Sequence, residues 1–181
     1  MKKVLSALLI LCLVFTLAAC SSSTDKKDTV TTTDGSLDAV VKAGVLRVGV
    51  KQDVPNFGLR NTATGEIEGF EIDIVKLLAK EILGDEKAYE LTPVTAKTRG
   101  PLLDNGEVDL AIATFTITDE RKLTYNFSTP YYEDAVGLLV KKAAGFKGLA
   151  DMNGKVIGVA QSATSKDAVQ KSAEELGITV S

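Results

Sequence analysis

The stretch Phe70-Glu-Ile-Asp-Ile-Val-Lys-Leu-Leu-Ala-Lys-Glu-Ile-Leu83 has the strongest helical periodicity in the chain. Its apolar residues recur at spacings of three and four, which places several of them on one helix face. The residues predicted for that face are Ile74, Leu77, Leu78 and Ile82. Gly84 follows directly, and glycine is the commonest residue at the end of a helix. The stretch therefore predicts an amphipathic helix over 70–83 that packs on a core.

Strand-like and helical segments alternate around this helix. Apolar runs predict strands at 45–50, 89–94 and 108–113, and short helices are predicted at 36–43 and 98–105. The polar segment 51–69 contains proline and several glycines and predicts a loop with one hairpin. This alternation predicts an α/β fold with a parallel sheet. Ligands of such sheets bind beyond the carboxyl ends of the strands.

The second half of the chain predicts only one further strand–helix–strand step. Strands are predicted at 135–140, 156–160 and 178–180, and a helix at 166–176. We therefore expect one complete lobe over 36–132, a crossing strand at 133–140 and an incomplete second lobe at 141–181.

The first residues resemble a bacterial lipoprotein signal. Lys2 and Lys3 precede the apolar run 4–17, which is too short for a comfortable membrane span, and Leu17-Ala-Ala-Cys20 follows. The resemblance implies a signal peptide at 1–19, a lipid on Cys20 and an extracytoplasmic protein anchored to the membrane. The polar segment 20–35 predicts a disordered tether. The alternatives are a plain signal peptide and an uncleaved anchor.

The composition excludes several kinds of chemistry. The chain has no histidine, and its two cysteines are Cys12 in the predicted signal and Cys20, so no thiol remains for catalysis or metal binding. We expect no metal and no cofactor. Without Lys2 and Lys3, 19 basic residues stand against 24 acidic ones and no basic block is present. Nucleic acid is therefore not expected as a partner.

One segment after the third predicted strand predicts an anion site. Thr114 and Thr116 lie where the strand 108–113 ends, and Thr118 is a favourable N-cap for a short helix that contains Arg121. Hydroxyls, free backbone N–H groups and a guanidinium would converge there, which suits a small carboxylate. The alternative interpretation is a solvated arginine on a capped helix.

Six motifs in order resemble the family 3 solute-binding proteins of bacterial amino-acid ABC transporters, over about 37–181. They are Gly69-Phe-Glu-Ile-Asp-Ile-Val-Lys-Leu-Leu-Ala-Lys-Glu-Ile82, Asp109-Leu-Ala-Ile-Ala113, Thr116-Ile-Thr-Asp-Glu-Arg121, Phe127-Ser-Thr-Pro-Tyr-Tyr132, Leu149-Ala-Asp-Met-Asn-Gly154 and Val159-Ala-Gln-Ser-Ala-Thr164. The resemblance implies a type II periplasmic-binding-protein fold. In that fold two lobes close on a free amino acid, and the closed protein, expected as a monomer, docks on an ABC permease.

The resemblance also implies roles for individual residues. Arg121 would hold the ligand α-carboxylate, with help from Thr116 and from the backbone at Ala113 and Thr114. The second lobe would contact the same carboxylate through Gln161, Ser162 and Thr164. Phe57 lies where the family often places an aromatic ring against the ligand.

Three charged residues bear on the choice of ligand. Lys51 and Arg99 would suit a side-chain carboxylate, and the segment 96–106 resembles family members that bind aspartate and glutamate. These two ligands are therefore preferred, with glutamine next. Asp53 points toward a basic or amide ligand instead. The alternatives are solvated loop charges for Lys51 and Arg99, and an ion pair with Lys51 for Asp53.

The family normally continues beyond residue 181. Its remainder completes the second lobe and supplies an acidic partner for the ligand amino group. The resemblance therefore implies a C-terminally truncated member that binds weakly or not at all. The competing functions are a non-binding lipoprotein, an enzyme on the same fold, which we do not expect, and the sensor domain of a receptor.

Overall fold

The computed structural model describes residues 36–181, so the predicted signal peptide, the tether and Cys20 lie outside the described residues. The helices are α1 (Ser36–Ala43), α2 (Phe70–Leu83), α3 (Arg99–Asp104), α4 (Asp119–Lys122) and α5 (Ser165–Glu175). The strands are β1 (Leu46–Val50), β2 (Asp53–Val54), β3 (Gly58–Arg60), β4 (Ile67–Glu68), β5 (Tyr89–Pro93) and β6 (Leu110–Ile112). Short 3-10 helices occur at Lys142–Ala144 and Leu149–Met152. None of the helices within 36–181 is long and apolar enough to cross a membrane.

A three-stranded parallel sheet organises the first part of the fold. Its order is β5-β1-β6, and β1 pairs in parallel with both neighbours. Leu46, Val48 and Val50 of the central strand are fully buried, because they lie on one face of the sheet in a cluster with Ile72, Val75 and Ala79 and their strand has a neighbour on each side. The predicted parallel α/β sheet is confirmed.

Helix α2 covers this sheet and has the predicted bounds. Its fully buried apolar residues are Ile72, Val75 and Ala79, which follow one another at spacings of three and four. The predicted core face is wrong at Leu77, which is 67% exposed. The buried stripe is rotated toward Ile72, and Glu71 beside it is also buried, with polar partners of its own.

The polar segment after β1 folds into a second, antiparallel sheet of order β2-β3-β4, where only one hairpin was predicted. Two glycines allow its close packing. A Cβ at Gly58 would overlap the carbonyl of Lys51, and a Cβ at Gly69 would overlap the carbonyl of Phe57. Gly69 also has φ 136°, which L side chains rarely adopt. These close approaches fix the Lys51–Phe57 loop beside the start of α2.

The second half of the chain contains α5, as predicted, but not the predicted strands at 135–140 and 156–160. Between 155 and 180 there is only one parallel bridge, which joins Lys155 and Val180. The run 156–160 is paired only at its start, where the Ile157 N–H donates to the Ser181 carbonyl at 2.8 Å, and no strand pairing involves the run 135–140 within residues 36–181. Leu139 accordingly is 99% exposed. The lobe boundaries at 133 and 141 stay predictions.

The core of the first lobe gives a direct test. We expect Ile72→Ala to lower the free energy of unfolding by about 2–5 kcal/mol, because it leaves a cavity beneath α2. Leu77→Ala on the same helix should change it by less than about 0.5 kcal/mol, because Leu77 lies in solvent. Urea unfolding of both variants measures the difference, and equal losses would contradict this packing.

An ion pair joins β1 to the start of β6. The Asp109 carboxylate accepts hydrogen bonds from the Arg47 backbone N–H at 2.9 Å and from Arg47 Nε at 3.2 Å. Partial burial raises the pKa of Asp109, but the bonds from the side chain and backbone of Arg47 outweigh this, so its pKa lies below the ordinary value.

Because that folded pKa is lowered, the pair stabilises the fold above the ordinary aspartate pKa of about 3.9. The stabilisation is lost as the pH falls through the lower, folded value. We therefore expect the urea midpoint of the native chain to fall more steeply below pH ~4 than that of Asp109→Asn, which lacks the titrating group. Parallel pH profiles for the two proteins would contradict the assignment.

Candidate functional site

The carboxyl ends of the three parallel strands meet at one edge of the sheet. Lys51 follows β1, the loop 94–98 follows β5 and leads into α3, and Ala113 and Thr114 follow β6. This edge therefore collects the segments in which most of the predicted site residues lie.

Arg121 lies on the short helix α4 at this edge. The helix begins as predicted, with the Thr118 hydroxyl accepting a hydrogen bond from the Arg121 backbone N–H at 3.1 Å. The guanidinium donates from Nη1 to the Thr116 carbonyl at 2.8 Å and from Nη2 to the Ser162 carbonyl at 3.0 Å. The structure thus brings three predicted site residues together, through backbone carbonyls and not through the threonine hydroxyls.

Thr114 has a left-handed backbone with φ 48°. Its N–H donates to Glu71 Oε1 at 2.6 Å, and its carbonyl accepts from Arg99 Nη1 at 3.0 Å. The same Arg99 nitrogen donates to the Ala113 carbonyl at 2.6 Å. The Thr114 N–H is therefore not free to bind an anion, because it donates to the Glu71 carboxyl group.

Arg99 is only 3% exposed, so its interpretation as a solvated loop charge is wrong. Burial and, to a lesser degree, the nearby positive charge of Arg121 lower the pKa of Arg99 to about 10, although the negative charge of Glu71 opposes the shift. At neutral pH the group is still protonated. Arg99 and Arg121 therefore place two positive charges close together.

Phe115 lies against both guanidiniums. The Arg99 guanidinium carbon is 4.0 Å from the ring centroid, and that of Arg121 is 4.8 Å from it. Such contacts are attractive because the ring face carries negative charge density. Tyr125 and Phe127 pack on the same ring, with centroids at 5.7 and 5.5 Å. The ring thus offsets part of the repulsion between the two arginines.

The other predicted residues have different partners. Lys51 Nζ lies 2.9 Å from Asp53 Oδ1, so the alternative of an ion pair for Asp53 is confirmed. Phe57 packs edge-to-face with Phe70 and Tyr132, with centroids at 6.0 and 4.9 Å. In the part of the chain that the structure describes, no hydrogen bond or ion pair links these side chains to Arg121.

In the second half, Ser162 has a left-handed backbone with φ 64° and reaches Arg121 through its carbonyl. Gln161 is exposed, and Thr164 is half-buried immediately before α5. Neither of these two side chains forms a hydrogen bond to Arg121 within residues 36–181. Among the hydrogen bonds of the described residues, the loop 161–164 therefore contacts Arg121 through one backbone atom, the Ser162 carbonyl oxygen.

Residues 46–179 match the model of the bacterial extracellular solute-binding proteins, family 3. The chain belongs to this family. It is 44% identical to the glutamine-binding protein of Geobacillus stearothermophilus, covering 95% of this chain and 69% of the relative. It is 43% identical to the ABC transporter glutamine-binding protein GlnH of Bacillus subtilis (strain 168), covering 96% of this chain and 65% of the relative.

Solved structures of family relatives share the fold. The cysteine-binding protein from Campylobacter jejuni superposes with a TM-score of 0.71 at 29% identity, covering 81% of this chain and 58% of that one. The ancestral amino acid-binding protein AncCDT-1, a precursor of cyclohexadienyl dehydratase, gives 0.66 at 37% identity, covering 77% and 60%. The predicted type II periplasmic-binding fold is confirmed. The chain spans about two thirds or less of these relatives.

These comparisons bear on two predictions. The relatives are solute-binding proteins and not enzymes, in line with the predicted class. The predicted preference for aspartate or glutamate receives no support, because the two curated relatives above are named for glutamine.

Three residues at this site have contacts that the sequence pattern does not predict. Glu71 lies in the first turn of a helix, where an acidic residue is usually exposed and stabilises the helix N-terminus. Its position in the sequence therefore does not indicate that it is buried. Phe115 stands between two threonines at a strand end, and its position beside Arg99 depends on residues 16 positions apart. Tyr131 belongs to the motif 127–132, but that motif does not indicate that the Tyr131 hydroxyl donates to Glu71 Oε1, which it does at 2.7 Å.

The contacts of Phe115 lead to a test. We expect Phe115→Leu to lower the free energy of unfolding by about 1–2 kcal/mol more than Phe127→Leu, since each cation–π contact contributes about 0.5–1 kcal/mol. Phe127 is the matched control, because it belongs to the same ring cluster but has no guanidinium over it among the described residues. Urea unfolding measures the free energy of unfolding of both variants. Equal losses would contradict a stabilising contact between the Phe115 ring and the two guanidiniums.

Proposed function

We propose that this chain is the substrate-binding component of an amino-acid ABC transporter, and that Arg121 holds the α-carboxylate of L-glutamine. The observation that carries the proposal is the Arg121 guanidinium, held at the carboxyl edge of the sheet and facing the carbonyl of Ser162. Family membership and the glutamine-binding relatives support the class of ligand.

The charges at the site favour a carboxylate. Within residues 36–181, neither Arg99 nor Arg121 forms an ion pair with a carboxylate, although the two guanidiniums lie against the same ring. An anionic ligand group would relieve their mutual repulsion. Each charge-assisted hydrogen bond that it accepts contributes about 1.5–3 kcal/mol.

The partners of the two other cations favour an amide over an acidic side chain. Lys51 is paired with Asp53, and Arg99 Nη1 donates to the carbonyls of Ala113 and Thr114. The Lys51–Asp53 pair therefore presents a donor and an acceptor side by side. A glutamine amide carries both a donor and an acceptor and suits such a pair, whereas Asp53 would repel a second ligand carboxylate.

The rest of the proposal concerns the complete transport system. The loop 161–164 would close over the ligand, and closure must follow from contacts made in the closed state alone, since a ligand shifts a balance only by its differential affinity. The protein would act outside the cytoplasm as a monomer, anchored through Cys20, and deliver glutamine to a permease.

The test is a chemical-shift titration of the 181-residue chain with L-glutamine, L-glutamate and L-aspartate up to millimolar concentration. This method detects binding with affinities as weak as millimolar. We expect L-glutamine to bind most tightly and to shift the resonances of Arg121 and Thr116. Tighter binding of an acidic amino acid, or no shift with any of the three, would overturn the proposal.

Two variants locate the site. We expect Arg121→Ala to abolish the L-glutamine shifts, because no other described guanidinium takes its place beside Thr116. Arg60→Ala is the matched control, since Arg60 is exposed and its side chain forms hydrogen bonds only to Gln52 and Gly65 within the described residues. It should leave the affinity unchanged. Retained binding in Arg121→Ala would show that the carboxylate lies elsewhere.

A further inference from the structure

We propose that Glu71 and Arg99 form a clamp that holds Thr114 in its left-handed conformation and so positions the carboxylate site at Arg121. The two residues are positioning residues, because they act through the backbone of Thr114. The link to ligand binding rests on the proposed function, whereas the clamp itself can be tested without a ligand.

The first argument is the conformation of Thr114. Its φ of 48° is unfavourable for a β-branched residue, and such backbones persist only where the surroundings over-determine them. Here the N–H and the carbonyl of Thr114 are each held by a different side chain. Glu71 accepts from the N–H at 2.6 Å, and Arg99 donates to the carbonyl at 3.0 Å.

The second argument is that the clamp residues are themselves fixed. Glu71 is 0% exposed, and its Oε1 also accepts from the Tyr131 hydroxyl at 2.7 Å. Its backbone N–H donates to the Phe57 carbonyl at 3.0 Å. Arg99 is fixed by a second carbonyl, that of Ala113, at 2.6 Å. Glu71 therefore ties the Phe57 loop and the Tyr131 segment to the strand end at Thr114.

The third argument is cost. Glu71 Oε2 and Arg99 Nε are buried and have no hydrogen-bond partner within residues 36–181. Burying such groups incompletely paired opposes folding, and apolar residues of similar volume are often at least as stable. Stability alone does not account for the pair, whereas placement of the strand end does. Thr114 directs the next two residues, so that Phe115 lies against both guanidiniums and the Thr116 carbonyl accepts from Arg121.

The ligand-free test is a double-mutant cycle on the 181-residue chain, with Glu71→Ala and Thr114→Gly, read as urea unfolding midpoints. Glycine adopts a left-handed backbone without strain. In the native background Thr114→Gly should raise the midpoint, because it relieves strain that the clamp imposes. In Glu71→Ala it should lower the midpoint, because Thr114 has already relaxed. The same change in both backgrounds overturns the clamp.

A conservative variant at Glu71 distinguishes a positioning role of its side-chain oxygen from the effect of removing side-chain volume. Glu71→Gln keeps an oxygen that can accept from the Thr114 N–H, so the cycle with it should give the native pattern. If Glu71→Ala does not fold, Tyr131→Phe replaces it in the cycle, because it removes only the hydroxyl that orients Glu71. We then expect a smaller coupling of the same sign, and zero coupling overturns the proposal.

The functional arm uses L-glutamine as the probe, titrated as above. Glu71→Ala should weaken binding by about tenfold or more, and Glu71→Gln by less than about threefold. An affinity in Glu71→Ala within about threefold of the native value, with native binding present, rejects the clamp as a positioning group. If the native chain binds no L-glutamine, the proposed function fails, and the unfolding cycle alone decides whether the clamp exists.

Discussion

Strand β1 has a parallel neighbour on each side, and this pairing brings three strand ends to one edge of the sheet. The side chains of Leu46, Val48 and Val50 are fully buried, so a shift of register would move apolar groups into solvent. The fixed register in turn fixes where the segments after β1 and β6 begin. The position of Arg121 beside the sheet edge thus depends on pairing that lies well away from Arg121 itself.

Short sequence patterns correctly predicted the helices whose ends are set by neighbouring residues in the chain. The bounds of α2 follow from its periodicity and from Gly84, which caps it in a left-handed conformation, and α4 begins at the Thr118 cap. The predicted strands at 135–140 and 156–160 do not form because an apolar run shows that a segment can pair but not that a neighbour extends along it. The wrong assignment of Leu77 has a different cause, since periodicity defines a helix face only to within about one residue.

The candidate site was predictable in its residue types but not in its pairing. The sequence placed Lys51, Arg99 and Arg121 near one edge, yet it could not show that Asp53 engages Lys51 or that backbone carbonyls engage Arg99. Backbone acceptors are present at every residue and leave no mark in a sequence. Counting cations therefore overstated the unpaired positive charge at this edge.

The bond between Arg121 and the Ser162 carbonyl has a consequence for the proposed function. Ser162 supplies a neutral acceptor to a guanidinium nitrogen, and a ligand carboxylate would supply a charged one in its place. Charge-assisted hydrogen bonds are roughly twice as strong as neutral ones, so the exchange favours the ligand. Nη2 carries two N–H groups, so a carboxylate can accept from it beside the Ser162 carbonyl or in its place. Where the carboxylate takes that place, the loop 161–164, to which Ser162 belongs, must also move. Ligand binding at Arg121 and movement of the second segment against the first would then be a single event, coupled through one guanidinium.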